Sequence, residues 1–321
     1  MNRTCPGHNQ HLTTIRFSLD CVSLVCFGLL CCINTSFAAP LKVVSYNVEN
    51  LFHPAHDSLK DDIEWTADGE RHWSYTRYYR KVENIARVLT NIGEWEGVDA
   101  IGLQEIENAL CVKRLCNTIR ADEYDFVHYD SPDRRGIDVA FIYKKARIDT
   151  IQTKAIPVDL GEQTTRDILY VCAQVDKRDT IHFFVCHMPS QRGGAAESAW
   201  KREAAKQVLE RTIDSVYTID PQAKIIVMGD MNSDGLRLNG LKDERMKGEG
   251  THKYHGQWTF LDHFYVSPSL DSVTHAEVYD AEWIQETDEK YLGLKPKRTY
   301  NGYHYQNGFS DHLPIVLECL K

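Results

Sequence analysis

Residues 224–232 read Lys-Ile-Ile-Val-Met-Gly-Asp-Met-Asn. The run from Lys224 to Met228 is apolar and rich in β-branched residues, which is typical of a buried strand. Asp230 and Asn232 follow where the apolar run stops. Because loops at strand ends let a rigid scaffold bring distant residues into one site, this stretch predicts both a core strand and a functional position.

The same pattern of an apolar run recurs along the chain. We predict further strands at these segments: Leu41 to Val48, Val98 to Leu103, Asp138 to Tyr143, Ile168 to Val175, Ile181 to Cys186, Leu261 to Val266 and Leu313 to Cys319. Two segments between them have an apolar face at helical spacing, from Val82 to Ile92 and from Ala204 to Ile213. The polar segment from Gly235 to Gln257 is predicted to be a long loop. Many strands with few, separated helices predict an α/β (α+β) protein with packed sheets covered outside by helices.

The first 38 residues differ from the rest and predict a secretory signal peptide. Arg3 and Arg16 lie in a polar lead, Val22 to Ile33 is almost wholly apolar, and Ser36-Phe37-Ala38 offers small residues for cleavage. The apolar core is shorter than the about 20 residues that span a bilayer, so no stable membrane span is expected. We predict a secreted or periplasmic protein whose residues 39–321 form one catalytic domain.

An alternative for the leader is lipoprotein anchoring through Cys31 or Cys32, which ranks second because Leu29-Leu30-Cys31-Cys32 matches such a signal poorly. The cysteines after the leader are five in number, and an odd number precludes a fully paired disulfide framework. On a helix, Cys111 and Cys116 would point about 140° apart. We therefore expect buried thiols.

The net charge of the chain affects which substrates the protein can attract. The chain has 37 basic and 46 acidic residues, a net charge of −9, and loss of residues 1–38 makes it −10. An acidic protein does not attract nucleic acid over long distances, although a local basic cleft or a bound metal reverses the sign near a site. We expect a monomer that acts on a phosphoester, with nucleic acid among the candidates.

Polar residues cluster at the ends of several predicted strands. Asn47 and Glu49 end the first, Glu105 follows the second, His187 follows the fifth, and Ser310-Asp311-His312 precedes the last. Each residue alone has an ordinary structural explanation, such as a turn, a helix cap or a satisfied buried histidine. Together, in this order, they predict a metal-assisted hydrolase, and their oxygen ligands suit Mg²⁺ or Mn²⁺, with Ca²⁺ as an alternative.

From Lys42 to Leu317 the chain resembles the endonuclease/exonuclease/phosphatase superfamily, which includes pancreatic-type deoxyribonuclease, apurinic endonucleases, neutral sphingomyelinases and inositol polyphosphate 5-phosphatases. The resemblance rests on these blocks: Ser45-Tyr46-Asn47-Val48-Glu49, Gly102-Leu103-Gln104-Glu105, Arg135-Gly136-Ile137-Asp138-Val139-Ala140, His187-Met188-Pro189-Ser190, Gly229-Asp230-Met231-Asn232, Leu261-Asp262 and Ser310-Asp311-His312. The combination is specific for the superfamily and weakly specific for substrate. It implies a four-layer sandwich of two central mixed β-sheets packed face to face, with helices on both outer faces.

The resemblance also implies a metal site. Glu105 matches the principal metal carboxylate of the family, with Asn47, Glu49 and Asp311 as supporting ligands or as groups that hold the ligands. Glu49 stands at a position where many members of the family have aspartate.

For catalysis, the resemblance implies that His312 is the family's histidine and that Asp262 orients it. Asp230 and Asn232 match residues beside the attacking water and the phosphate, and Asp230 is the rival of His312 for the role of general base. His187 matches the position near the leaving group, as a general acid or a stabiliser of the leaving oxygen.

Substrate-binding candidates are Arg135, Arg166, Ser190 and Arg192, with Arg298 as a comparable cleft residue; any of these arginines could instead be an ordinary surface or salt-bridge residue. The segment Arg71 to Arg80 interleaves cations with aromatics, as a platform for stacked bases would, or as a loop leading into an amphipathic helix would.

The leading interpretation is a nuclease-like phosphodiesterase, because His187 and its neighbouring blocks look more like secreted nucleases than like inositol phosphatases. Alternatives are an enzyme acting on a lipid head group or a small phosphate ester, and a binding module that kept the fold. No amphipathic membrane segment supports the lipid substrate, and no expected catalytic residue is missing, which argues against the binding module.

Overall fold

Two six-stranded mixed β-sheets form the centre of the fold in the computed structural model, which describes Met1 and residues 40–191, 193–244, 246–270 and 275–319. In chain order the strands are β1 (Leu41–Leu51), β2 (Ala100–Ile106), β3 (Tyr124–His128), β4 (Asp138–Lys144), β5 (Ile148–Ile156), β6 (Ile168–Val175), β7 (Asp179–His187), β8 (Lys224–Asp230), β9 (Lys242–Asp243), β10 (His252–Tyr254), β11 (Gln257–Thr259), β12 (Asp262–Val266), β13 (His275–Val278), β14 (Gln285–Thr287), β15 (Leu294–Pro296), β16 (Tyr300–Asn301), β17 (His304–Tyr305) and β18 (Ile315–Cys319). The α-helices are α1 (Tyr75–Gly93), α2 (Ala109–Arg120) and α3 (Ala195–Ile219).

Each sheet contains one parallel pair among antiparallel neighbours. The first sheet has the order β13-β18-β1-β2-β4-β3, and β1 is parallel to β2. The second has the order β5-β6-β7-β8-β12-β9, and β7 is parallel to β8. A parallel pair needs a crossover connection, and α1 and α3 provide it in the two sheets. The carboxyl ends of each parallel pair therefore lie at one edge of their sheet.

The side chains of β8 show how the layers are arranged. Ile226 and Met228 join the large core that includes α1, α2 and strands of both sheets, whereas Ile225 and Val227 join a second core with Leu209 of α3. Successive strand residues face opposite sides, so one side of β8 packs against the first sheet and the other against α3. This arrangement confirms the predicted four-layer sandwich.

The helices begin at recognisable caps. The Ser74 hydroxyl accepts a hydrogen bond from the backbone N–H of Arg77, and the Asn108 side chain accepts one of 3.0 Å from Cys111 N–H. Such caps satisfy backbone donors that have no partner within the helix. Among the helices of the described ranges, none is long and apolar enough to cross a membrane.

The differences from the predicted elements have physical reasons. Strand β5 was not predicted because most of its side chains are exposed or half-buried, so its apolar pattern is weak. The predicted loop between Gly235 and Gln257 contains the short strands β9 and β10. The cysteines after residue 38 are free and buried, as expected: Cys111, Cys116, Cys172, Cys186 and Cys319. Apart from Met1, the predicted signal peptide of residues 1–38 lies outside the described residues.

Candidate active site

The polar ends of both parallel pairs meet in one cluster. β1 and β2 have register shifts after Asn47 and after Gln104, where the backbone of Glu49 and Glu105 takes positive φ angles of 54° and 66°. Such irregularities re-aim side chains at strand ends, and a strained non-glycine backbone is common at functional sites. Glu105 is thereby turned toward the end of the second sheet.

Asp230, the last residue of β8, lies at the centre of the cluster. Its Oδ2 accepts a hydrogen bond of 3.1 Å from Asn47 Nδ2 and lies 3.6 Å from His187 Nε2 and 3.8 Å from His312 Nε2. Its Oδ1 accepts one of 2.8 Å from the backbone N–H of Asn232. The contacts come from both sheets, so the closely packed sandwich places one carboxylate oxygen within reach of three other side chains.

Gly229 explains how the two parallel strands can end so close together. Its φ is 141°, and a Cβ there would lie 1.9 Å from the carbonyl oxygen of Cys186. Only glycine fits this conformation and this approach. The glycine of the Gly229-Asp230-Met231-Asn232 block therefore aligns Asp230 with His187, its register partner on β7.

His312 is held by Asp262, the first residue of β12. Its Nδ1 lies 2.7 Å from Asp262 Oδ2, and the Asp262 backbone N–H donates to the Thr251 hydroxyl at 3.2 Å. Burial alone would lower the pKa of His312, but the Asp262 and Asp230 carboxylates outweigh it and raise the pKa well above its ordinary value. The imidazole is consequently a cation at neutral pH.

His187 is in the opposite protonation state. Burial, reinforced by the positive charges of Arg166, Arg135 and His312, lowers its pKa well below the ordinary value. Arg166 donates to the carbonyl oxygens of His187 and Met188 at 3.1 and 2.8 Å and lies 3.3 Å from Asp133 Oδ2. A neutral imidazole thus faces Asp230, in a segment fixed by a buried arginine.

Glu105 has the surroundings of a cation ligand. One carboxylate oxygen accepts a 2.9 Å hydrogen bond from Asn50 N–H and the other lies 3.9 Å from His187 Nε2. Burial raises its pKa, and the negative charge of Asp311 raises it further. A hard divalent cation would relieve this repulsion, so the residues fit the metal that the sequence predicts. Glu105, with Asp311, would hold the ion.

Glu49 and Asp311 differ from Glu105 in being paired already. Glu49 accepts hydrogen bonds from the Thr299 backbone N–H at 2.5 Å and from Arg298 Nε at 3.4 Å, and its Oε2 lies 3.9 Å from Lys81 Nζ. Arg298 also contacts Asp311 Oδ2 at 2.7 Å. Glu49 is thus placed to secure the β16 segment next to the site. The resemblance implied either a supporting metal ligand or a group that holds the ligands at this position.

The predicted substrate-binding residues range from exposed to fully buried. Arg135 is partly exposed, 3.6 Å from Asp133, and Ser190 is exposed beyond the end of β7. Arg166 is buried and bonded to the chain itself, so it positions the His187 segment. Asn232 also positions the His187 segment, because its Nδ2 donates a hydrogen bond of 3.0 Å to the Met188 carbonyl. Arg192 lies outside the described residues.

The segment Arg71 to Arg80 is the start of α1 and the loop before it. Trp73 and Tyr78 are buried, whereas Tyr75 and Tyr79 are half-exposed. The Trp73 Nε1 donates to the Phe52 carbonyl at 2.8 Å. Its aromatics are therefore in large part packing residues, which agrees with the loop-and-helix interpretation.

Two residues of the site were not found from the sequence. Lys81 is a fully buried lysine whose Nζ donates to Thr299 Oγ1 and, at 2.5 Å, to the Phe309 carbonyl. Burial lowers its pKa to about 8. A signal existed, because Lys81 occurs on the apolar face of α1, four residues before Ile85. His252, whose ring centroid is 5.0 Å from that of His312, lies in the segment predicted as a loop and gave no such signal.

Known proteins resemble the chain at the level of family and of fold. The family model described as "Endonuclease/Exonuclease/phosphatase family" matches residues 42–321. No curated protein matches the chain. A truncated TDP2 from Caenorhabditis elegans has 17% identity and a TM-score of 0.58, with 88% of this chain and 98% of that chain covered.

Two bacterial structures are similar to the same extent. The mannosyl-6-phosphatase Bt3783 of Bacteroides thetaiotaomicron has 17% identity and a TM-score of 0.57, with 88% of this chain and 100% of that chain covered. An endonuclease/exonuclease/phosphatase family protein of the same organism has 16% identity and a TM-score of 0.56, with 88% and 97% covered. At these identities the likeness shows the fold, while the family model shows the family. The chain therefore belongs to the endonuclease/exonuclease/phosphatase family, whose members are metal-dependent phosphoester hydrolases.

Proposed function

We propose that this protein is a nuclease-like phosphodiesterase that uses Mg²⁺ or Mn²⁺ and hydrolyses a P–O bond by in-line attack of water. The observation that carries the proposal is the position of Asp230 Oδ2, within 4 Å of Asn47, His187 and His312. A water molecule between Asp230 and a bound phosphate would have a base on one side and two imidazoles beside it.

Asp230 is the general base in this proposal. Burial raises its pKa to about 7, which suits a group that must accept a proton from water near neutral pH. His312 already carries a proton and cannot accept another, so it stabilises the negative phosphoryl oxygens by donating from Nε2. The new bond joins the water oxygen to phosphorus, the bond to the leaving oxygen breaks, and Asp230 takes the water's proton.

Two further groups complete the reaction. The neutral His187 donates a hydrogen bond to the leaving oxygen, because its low pKa leaves it without the extra proton of a cationic acid. Glu105 would hold a divalent cation, which would neutralise charge on the phosphate and contribute several kcal/mol, as in enzymes of this kind. Asn47 and Asn232 keep Asp230 in place through the hydrogen bonds described above.

The substrate class rests on the surface next to Asp230. Arg135 is partly exposed, and it and Arg166 supply positive charge near Glu105. Such a local cationic edge would attract a phosphodiester in spite of the acidic balance of the chain. We also propose export through the predicted leader, which N-terminal sequencing of the protein recovered from its native host would test.

Hydrolysis of three substrates tests the proposal. Residues 39–321 would be assayed on supercoiled plasmid, bis-p-nitrophenyl phosphate and sphingomyelin vesicles, with Mg²⁺ or Mn²⁺ and with EDTA. Glu105→Ala and His312→Ala would be compared with Glu277→Ala, a half-exposed carboxylate on β13. We expect metal-dependent plasmid nicking that both site variants lose and the control keeps.

The other outcomes would indicate a different substrate. Turnover of the small diester without plasmid cleavage would indicate a smaller phosphate ester, and hydrolysis of the vesicles would indicate a lipid head group. Inactivity on every substrate would contradict the proposal and favour a binding module.

A further inference from the structure

A second polar cluster lies apart from Asp230, where the first sheet meets the start of β6. His128 ends β3, Asp138 begins β4, and Asp167 directly precedes β6. Asp138 and Asp167 line the same small cavity, together with Tyr129 and Ser131. None of these residues has a part in the proposed reaction.

Three buried polar atoms in this cluster are unsatisfied. His128 Nε2, Asp138 Oδ2 and Asp167 Oδ1 have no hydrogen-bond partner within the described part of the chain. The side chains of His128 and Asp138 are each only 2% exposed, and the two unpartnered atoms are 3.9 Å apart. This distance is too long for a hydrogen bond and is suited to two ligands of one ion.

The neighbouring contacts orient these atoms as the surroundings of a metal site do. The other oxygen of Asp138, Oδ1, accepts hydrogen bonds from the Ser131 hydroxyl and, at 3.1 Å, from the Ser131 backbone N–H. These bonds leave Oδ2 directed away from Ser131. Asp130 Oδ1 lies 4.0 Å from His128 Nδ1.

The charge balance of the cluster also favours a cation. Lys60, whose charge acts on both His128 and Asp138, donates hydrogen bonds to the carbonyl oxygens of Ser131 and Asp133 and is not bonded to Asp138. Buried carboxylate oxygens without a partner are costly, and an ion among them removes that cost.

We propose that His128, Asp138 and Asp167 form a second metal site, distinct from the one at Glu105, which binds a divalent transition metal such as Zn²⁺. The imidazole nitrogen favours a first-row transition metal over Ca²⁺ or Mg²⁺, which prefer oxygen ligands alone. Asp130 adds a further carboxylate, and the ligand atoms of His128, Asp130 and Asp138 all lie within 4.8 Å of one another.

Such an ion would join three parts of the fold next to the catalytic cluster. Asp138 is the register partner of Ile106, the residue after Glu105, and lies three residues after Arg135. Asp167 follows Arg166, which holds the His187 segment. The metal would therefore secure the segments that carry Glu105, Arg135 and Arg166 without touching the substrate.

Metal content measures the site directly. Purified protein would be stripped with EDTA, reloaded with Zn²⁺, freed of excess metal by gel filtration and analysed by mass spectrometry for zinc per chain. We expect Asp138→Asn and His128→Gln each to hold one Zn²⁺ fewer than the wild type. Asp125→Asn, an exposed carboxylate on the same strand as His128, is the matched control and should lose none.

A second comparison separates this site from the catalytic one. In Glu105→Gln protein, Zn²⁺ should still raise the melting temperature, and the added Asp138→Asn substitution should abolish that rise. Equal zinc content in the wild type and Asp138→Asn would overturn the proposal, because it would leave a water molecule or a protonated carboxyl as the occupant of the cavity. If Zn²⁺ still raised the melting temperature of the variant with both Glu105→Gln and Asp138→Asn, the proposal would be overturned as well, since the ion would then bind elsewhere.

Discussion

Two buried polar clusters include nearby residues of β1, and they differ in how completely their groups are paired. Asn47 belongs to the catalytic cluster of Asp230, His187 and His312. In this cluster the Nε2 atoms of the two histidines lie 3.6 and 3.8 Å from Asp230 Oδ2, beyond hydrogen-bond distance. Glu49, two residues later, belongs to the paired cluster with Lys81 and Arg298, where hydrogen bonds as short as 2.5 Å satisfy the charges.

The difference separates stability from catalysis. Groups in the paired cluster have their partners inside the protein, so they fix the β16 segment and offer little to a ligand. Groups in the catalytic cluster retain unused hydrogen-bonding capacity, which a phosphate and a water can take up. Removal of a group from the paired cluster should consequently lower the stability of the fold, whereas removal of a group from the catalytic cluster should lower activity.

Loss of a catalytic group should give the largest effect. Asp230→Asn keeps the shape but removes the base, and we expect kcat to fall by about 10²–10⁴-fold. The melting temperature should stay the same or rise, because a buried charge is lost. Turnover of bis-p-nitrophenyl phosphate and a thermal melt measure the two quantities; a strongly destabilised variant would erase the distinction between the clusters.

Disruption of the paired cluster should come next. Lys81→Met leaves Glu49 without one of its cations, and removal of one partner from a buried pair costs about 3–5 kcal/mol of unfolding free energy. Urea unfolding measures the loss. Lys113→Met, on the exposed face of α2, should change it by no more than about 0.5 kcal/mol. Equal stability of the two variants would show that the Lys81 pairing contributes nothing.

The pH profile should show a smaller effect that is specific to His312. Activity requires Asp230 without its proton and His312 with one, so it should rise as pH increases through about 7 and fall when His312 deprotonates at higher pH. Asp262→Asn removes the charge that raises the pKa of His312, so the alkaline limb should move to lower pH. An unshifted limb would assign that limb to another group.

The smallest effect should come from a helix cap that makes no hydrogen bond to either cluster. Asn108→Ala removes the acceptor for Cys111 N–H at the start of α2, which costs about 1 kcal/mol of stability. Its kcat should match the wild type when both are assayed well below their melting temperatures. A reduced kcat would mean that α2 positions Glu105, three residues before the cap.

Much of the sandwich could be predicted because its core strands are continuous apolar runs. Ile168–Val175 was predicted with the bounds that the structure has, and Lys224 to Met228 was short by two residues. Exposed edge strands such as β5 lack that signal. The bulge at Glu105 could not be predicted, since a register shift depends on the neighbouring strand and leaves no mark in local composition.

Apolar periodicity and short sequence blocks are local properties, so the succession of core strands, the polar residues that end them and the family could be predicted from the chain alone. Packing of the sheets settled which residues are partners. It paired Glu49 with Lys81 and Arg298, and it set His312 and His187 in opposite protonation states. It also brought together His128, Asp138 and Asp167. Charge, burial and distance between residues far apart in the chain exist only once the sheets have packed.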